Sequence, residues 1–135
     1  MSQWRIDQEA TTSKQSPRDI QKRTFDFAVR VLKLVDRFPR SLSADVVGRQ
    51  LARSATSVGA QVQEADAAES KNDFAHKMGI GRKEVQESRY WLAMVDAAIL
   101  PDDPEAQLLY RESDELARIL FTIQKNALAG KSMSK

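Results

Sequence analysis

Arginines recur at intervals of seven at Arg23, Arg30 and Arg37, with Lys33 and Arg40 close by. Seven residues make two helical turns, so on a helix these guanidinium groups form one stripe, which can hold the phosphates of a nucleic-acid backbone. The same residues have a plainer reading. Asp19/Arg23, Asp26/Arg30 and Asp36/Arg40 lie four apart and would pair along the helix, leaving a solvated and partly neutralised surface. Sequence leaves both readings open. Phosphate contacts of this kind would be weakly sequence-selective, and with few aromatic residues beside the stripe they would show little preference for unpaired strands.

Other chemistries find less support. Glu84 and Glu87 are three apart and could in principle act as acid and base. Carboxylates beside a tryptophan, here Trp91, more often join a structural network with arginine. His76 falls opposite the apolar face of its helix and reads as a solvated histidine. Gly79-Ile80-Gly81 lacks the Lys-Ser/Thr ending of a phosphate loop, and no serine sits in a nucleophile elbow. With no cysteine and no Glu-x-x-His pair, thiol catalysis, disulfides, thiolate zinc and an inward-facing di-iron site are all excluded. The expectation is a protein with no catalytic residue, metal, cofactor or small-molecule substrate.

The elements that carry these residues are helices. Ser16-Pro17 starts the first, with Asp19 in its opening turn, and Phe38-Pro39 stops it. Apolar residues then recur at steps of three and four in four segments: about 17–38, 44–69, 71–100 and 104–129. Ser70-Lys71-Asn72-Asp73 resembles a capping box, and Asp103-Pro104 pairs a cap with proline at the first helical position. Gly59, inside the second segment, costs about 1 kcal/mol relative to alanine and suggests that a side chain may not fit there. Short connections make successive helices antiparallel. The fold class is therefore all-α, an antiparallel up-down-up-down four-helix bundle in a single domain over 17–130, with 1–16 and 131–135 as flexible polar tails.

Two helices are more apolar than one buried face requires. Phe25, Ala28, Leu32 and Val35 make a second stripe on the first helix; Ile80, Trp91 and Met94 do so on the third. Phe25, Leu32, Ile80, Trp91 and Met94 are accordingly candidates for a homo-oligomer interface, the alternative being a wider intramolecular face.

The 135 residues suffice for one self-supporting core, and the net charge of +2 predicts no polyanion partner by itself. Its distribution is uneven: residues 1–53 hold 11 Lys/Arg against 6 Asp/Glu, net +5, whereas 54–135 hold 10 against 13, net −3. No apolar run approaches the roughly 20 residues of a membrane span, and no secretory signal opens the chain, so the expected location is the cytoplasm.

Phe38-Pro39, the stretch from Gln50 to Val58, and Asp73-Phe74 through Lys83-Glu84-Val85-Gln86-Glu87-Ser88-Arg89-Tyr90-Trp91-Leu92 resemble the bacterial four helix bundle family, or 23S rRNA intervening-sequence proteins. The likeness covers about 20–128. It implies an antiparallel bundle, frequent assembly into a ring-like homopentamer, and no established enzymatic activity. Some members are encoded within rRNA gene insertions, and the related accessory variability proteins of diversity-generating retroelements associate with nucleic acid. RNA or a ribonucleoprotein is thus an implied partner, the alternative being a protein-interaction scaffold with no nucleic-acid role. Where many members have Asn-Ile-Ala-Glu-Gly, this chain has Gln61-Val62-Gln63-Glu64-Ala65. Glu64 is retained there and joins Glu84 and Glu87 as the candidate polar network.

Overall fold

A computed structural model describes residues 17–130; the two expected tails lie outside the described residues. The chain forms α1 (Pro17–Val35), α2 (Leu42–Asp66), α3 (Lys71–Met94) and α4 (Pro104–Leu128), and a π-helical turn at Val95–Ile99 prolongs α3. Each helix packs on its successor, while α1 and α4 close the bundle along its slimmest seam. That arrangement is the up-down-up-down bundle.

One core runs through all four helices. Phe27 and Val31 of α1, Leu51 and Val58 of α2, Phe74 and Met78 of α3, and Leu116 and Leu120 of α4 are all essentially inaccessible to solvent. Their three- and four-residue spacing turns them inward together. Each helix also buries one hydroxyl: Thr24, Ser54, Ser88 and Ser113. Thr24 and Ser113 donate back to carbonyls of their own helices; Ser54 and Ser88, 2.7 Å apart across the α2–α3 seam, use their two protons for the bond between them and for a carbonyl of their own helices. The hydroxyls are thereby satisfied without water.

The helix ends show which local signals won. Ser70 accepts from the Asp73 N–H at 3.0 Å, and Asp103 accepts from the Ala106 N–H at 3.0 Å with Pro104 following it. Gly130 takes the left-handed conformation, φ 72°, beyond α4. Three boundaries differ from the sequence reading. α1 stops at Val35 rather than 38, because Arg37 and Phe38 donate to the carbonyls three residues back and Pro39 forbids a further helical turn. α2 begins at Leu42, two residues earlier than 44, since Ser41 caps it through the Ala44 N–H. It ends at Asp66 rather than 69, where Ala67 and Ala68 also bond three residues back. At Gly59 an added Cβ would meet Thr24 at 3.4 Å or more, which is ordinary contact, so the expected steric exclusion is not there. Among the described residues no helix is long and apolar enough to cross a membrane.

Candidate functional site

Arg23 and Arg30 of α1, and Arg37 just beyond its end, reach across to α4 and its cap, with Arg30 and Arg37 still partly open to solvent. Arg23 donates through Nε and Nη2 to both oxygens of Glu112, at 3.1 and 2.7 Å, and Glu115 lies 3.4 Å away. Arg30 engages Glu105 in the same two-pronged way at 2.9 and 3.0 Å, and Arg37 engages Asp103 at 3.0 and 2.9 Å. Arg23 and Arg30 are seven apart on one helix, as are Glu105 and Glu112 on the antiparallel one, so the two pairs fall into register. The expected pairs along α1 give way to this ladder, and Asp26 is taken by Lys22 instead. Planar guanidinium forks suit carboxylates two bonds at a time, which the helical neighbours do not match here. The Arg30 hydrogen bond holds the Glu105 carboxyl below its ordinary range, and Arg37 does the same to Asp103. Lys33 and Arg40 remain exposed and form no ion pair among the described residues. Of the five candidate contact residues, Arg23, Arg30 and Arg37 are thus already paired within the molecule, and Lys33 and Arg40 are not.

Across the α2–α3 seam, Arg53 meets Glu84 at 3.3 Å and Glu87 at 2.6 Å; the Trp91 indole N–H donates to Glu87 at 3.0 Å, and Ser57 donates to Glu84. Trp91 first, then Arg53, holds the Glu87 carboxyl below its ordinary range. A carboxylate kept ionised in this way is a poor general acid at neutral pH. Glu64 stands apart from this network and pairs with Lys77 at 2.9 Å. His76 is exposed, and among the described residues no group of three His, Asp or Glu could hold a metal.

The five proposed interface residues divide. Phe25 and Leu32 are exposed, 66% and 42%. Trp91 and Met94 already pack against the bundle's own core, and Ile80 is half-buried. The second stripe of α3 therefore widens an intramolecular face, whereas that of α1 remains open.

On the other flank of α4, a groove against α3 is lined by Arg82, Gln86, Arg89, Asp114, Arg118 and Phe121 and has a volume of about 490 Å³. Arg118 binds Asp114 at 2.6 Å, and Arg89 lies 3.6 Å from the same carboxylate and 4.9 Å from the Tyr110 ring centre. Among the described residues Arg82 has only neutral partners. Its Nε donates to Gln124 and its Nη1 to Gln86, both at 3.3 Å, and its guanidinium carbon lies 5.8 Å from the centre of the Phe121 ring. Gly79 makes this possible: a Cβ there would collide with the Gln124 amide, which lies across α3 to reach Arg82. Three guanidinium groups thus line the groove with one carboxylate, which two of them share, around an aromatic ring that is 52% exposed.

This groove is absent from the sequence reading, although its signal was of the same type. Arg82 and Arg89 are seven apart, and so are Arg111, Arg118 and Lys125. What distinguishes them from the α1 stripe is that α4 turns Glu105, Glu112 and Glu115 toward α1 and only Asp114 into this groove, which is a property of packed faces rather than of one helix.

Comparison with known proteins follows the same lines. The family model described as 23S rRNA-intervening sequence protein matches residues 18–122. Among solved structures, the chain is similar to a protein with unknown function from the S23 ribosomal protein family of Bacteroides thetaiotaomicron VPI-5482. The two share 30% identity and a TM-score of 0.72, over 78% of this chain and 98% of that one. Among curated proteins there is no significant match.

Proposed function

This chain belongs to the 23S rRNA-intervening sequence protein family, and from that premise we propose that it is a non-enzymatic, self-associating bundle of the cytoplasm that binds RNA backbone through its α3–α4 groove. One observation carries the proposal: three arginines line the groove, two of them share its single carboxylate, and Arg82, among the described residues, is held in place by neutral groups. Such a guanidinium keeps its full charge for a phosphate and loses no ion pair on binding one. The α1 arginines would each have to give up a two-pronged carboxylate first. Self-association rests on the exposed Phe25 and Leu32 of α1, a helix that contributes no residue to the groove.

The deciding experiment is titration of a structured rRNA fragment at several salt concentrations. Affinity should fall steeply with salt. Arg82→Glu with Arg118→Glu should weaken binding at least tenfold and flatten the salt slope by about two, as roughly two phosphate contacts are lost. Arg30→Ala should leave both nearly unchanged. No binding at low salt by a folded sample would remove RNA from the reading and leave a protein-interaction scaffold. Light scattering should give a mass several times 15.2 kDa, and Leu32→Glu should reduce it; a monomer at all concentrations would dispose of self-association.

A further inference from the structure

Backbone binding alone leaves Phe121 unexplained. The ring lies one residue off the α4 core row of Leu116, Leu120 and Ile123, is half exposed, and contributes little to the core. Its immediate neighbour is the one groove arginine whose charge has no carboxylate to answer it. The ring lies under a fixed guanidinium, 5.8 Å from its centre, and is still 52% exposed, so the pair offers two complementary elements to a single nucleotide: the open part of the ring for a base and the guanidinium for the phosphate attached to it. A regular A-form helix can use only one of them. Its bases are stacked inside, and it offers phosphates and ribose hydroxyls to the outside. An unpaired nucleotide in a loop, bulge or free strand offers both.

Resting on the RNA-binding reading above, we infer that the α3–α4 groove selects unpaired nucleotides, stacking a base on Phe121 while Arg82 and Arg118 hold the adjoining phosphates. The preference expected from the α1 stripe is thereby reversed, because the cationic surface lies beside exposed aromatic residues rather than away from them. Gly79 and Gln124 act as positioning residues, since the amide seated over the glycine is what fixes Arg82 next to the ring.

The test compares two RNAs with equal numbers of phosphates, a hairpin with an eight-nucleotide uridine-rich loop and a blunt duplex, in competition against the full chain at one salt concentration. The hairpin should bind roughly tenfold more tightly, a preference of the size one stacked base supplies. Phe121→Ala should abolish that preference while leaving duplex affinity unchanged. Phe121→Trp should retain it, with the new indole fluorescence quenched by the hairpin and unaffected by the duplex. Equal binding of the two RNAs, or a preference that survives Phe121→Ala, would overturn the inference and leave backbone binding standing. Failure of both RNAs to bind the folded protein would overturn both.

Discussion

On the flank of α4 that faces α1, three arginines meet four carboxylates; on the flank that faces α3, two arginines meet one and Arg82 meets none among the described residues. The first set is consumed in holding the bundle's slimmest seam together, and its charge is answered within the molecule. The second adds little to stability and keeps its charge available. Two rows with the same residue type and the same seven-residue spacing therefore divide into structure and recognition according to which face of α4 each one meets. The division also explains why the half of the chain with net charge −3 bears the cationic groove: many of its carboxylates are turned toward α1 and α2.

The largest expected effect that would break this comparison is on stability. Arg23→Ala with Arg30→Ala should lower the urea unfolding free energy by about 2 kcal/mol, because two part-buried carboxylates lose two-pronged partners. Arg82→Ala with Arg118→Ala should cost about 0.5 kcal/mol or less. Equal losses in the two double variants would erase the distinction between the flanks.

An intermediate effect concerns pH. Asp103, Glu105 and Glu87 titrate below their ordinary values in the folded protein, so between the folded and unfolded values the unfolded chain binds more protons. Their contribution to stability should be complete above about pH 5 and should be lost as pH falls below about 4. Thermal melts of the native chain should fall over that interval. Arg30→Ala with Arg37→Ala should show a shallower fall, since two of the depressed carboxyls lose the arginines responsible; an unchanged profile would mean that the ladder does not hold in solution.

The smallest effects separate two helix glycines. Gly59→Ala, with ordinary space for its methyl group, should stabilise the bundle by about 0.5–1 kcal/mol and leave RNA binding alone. Gly79→Ala should displace the Gln124 amide and weaken hairpin binding several-fold with little change in melting. Identical behaviour of the two variants would show that Arg82 does not depend on its seat.

Much of the fold was legible because its determinants are local. Ser70 and Asp103-Pro104 cap the helices that their sequence contexts announced, and the rows Phe27/Val31 and Leu116/Leu120 turned inward as their spacing required. Boundaries were less legible where two signals competed, as at Ser41 and Ser43, either of which could cap α2. The candidate site was hardly legible. Periodicity assigns Arg30 to a face of its own helix but says nothing of Glu105, 75 residues away, which neutralises it. Nor does it show that Gln124 would settle over Gly79. Finding the groove required knowing which helices adjoin, since an unpaired charge is defined by what fails to appear across a seam.

The ladder between α1 and α4 joins residues 89, 75 and 66 positions apart, whereas the α2–α3 and α3–α4 seams close between consecutive helices. Loop-closure entropy makes such distant pairings late events, so the three later helices can assemble before the first is fastened. In a stopped-flow experiment Arg30→Ala should accordingly hasten unfolding while scarcely slowing refolding. The arginine row of α1 then works as a latch on the kinetic lifetime of the bundle, released by low pH or high salt before the core itself gives way.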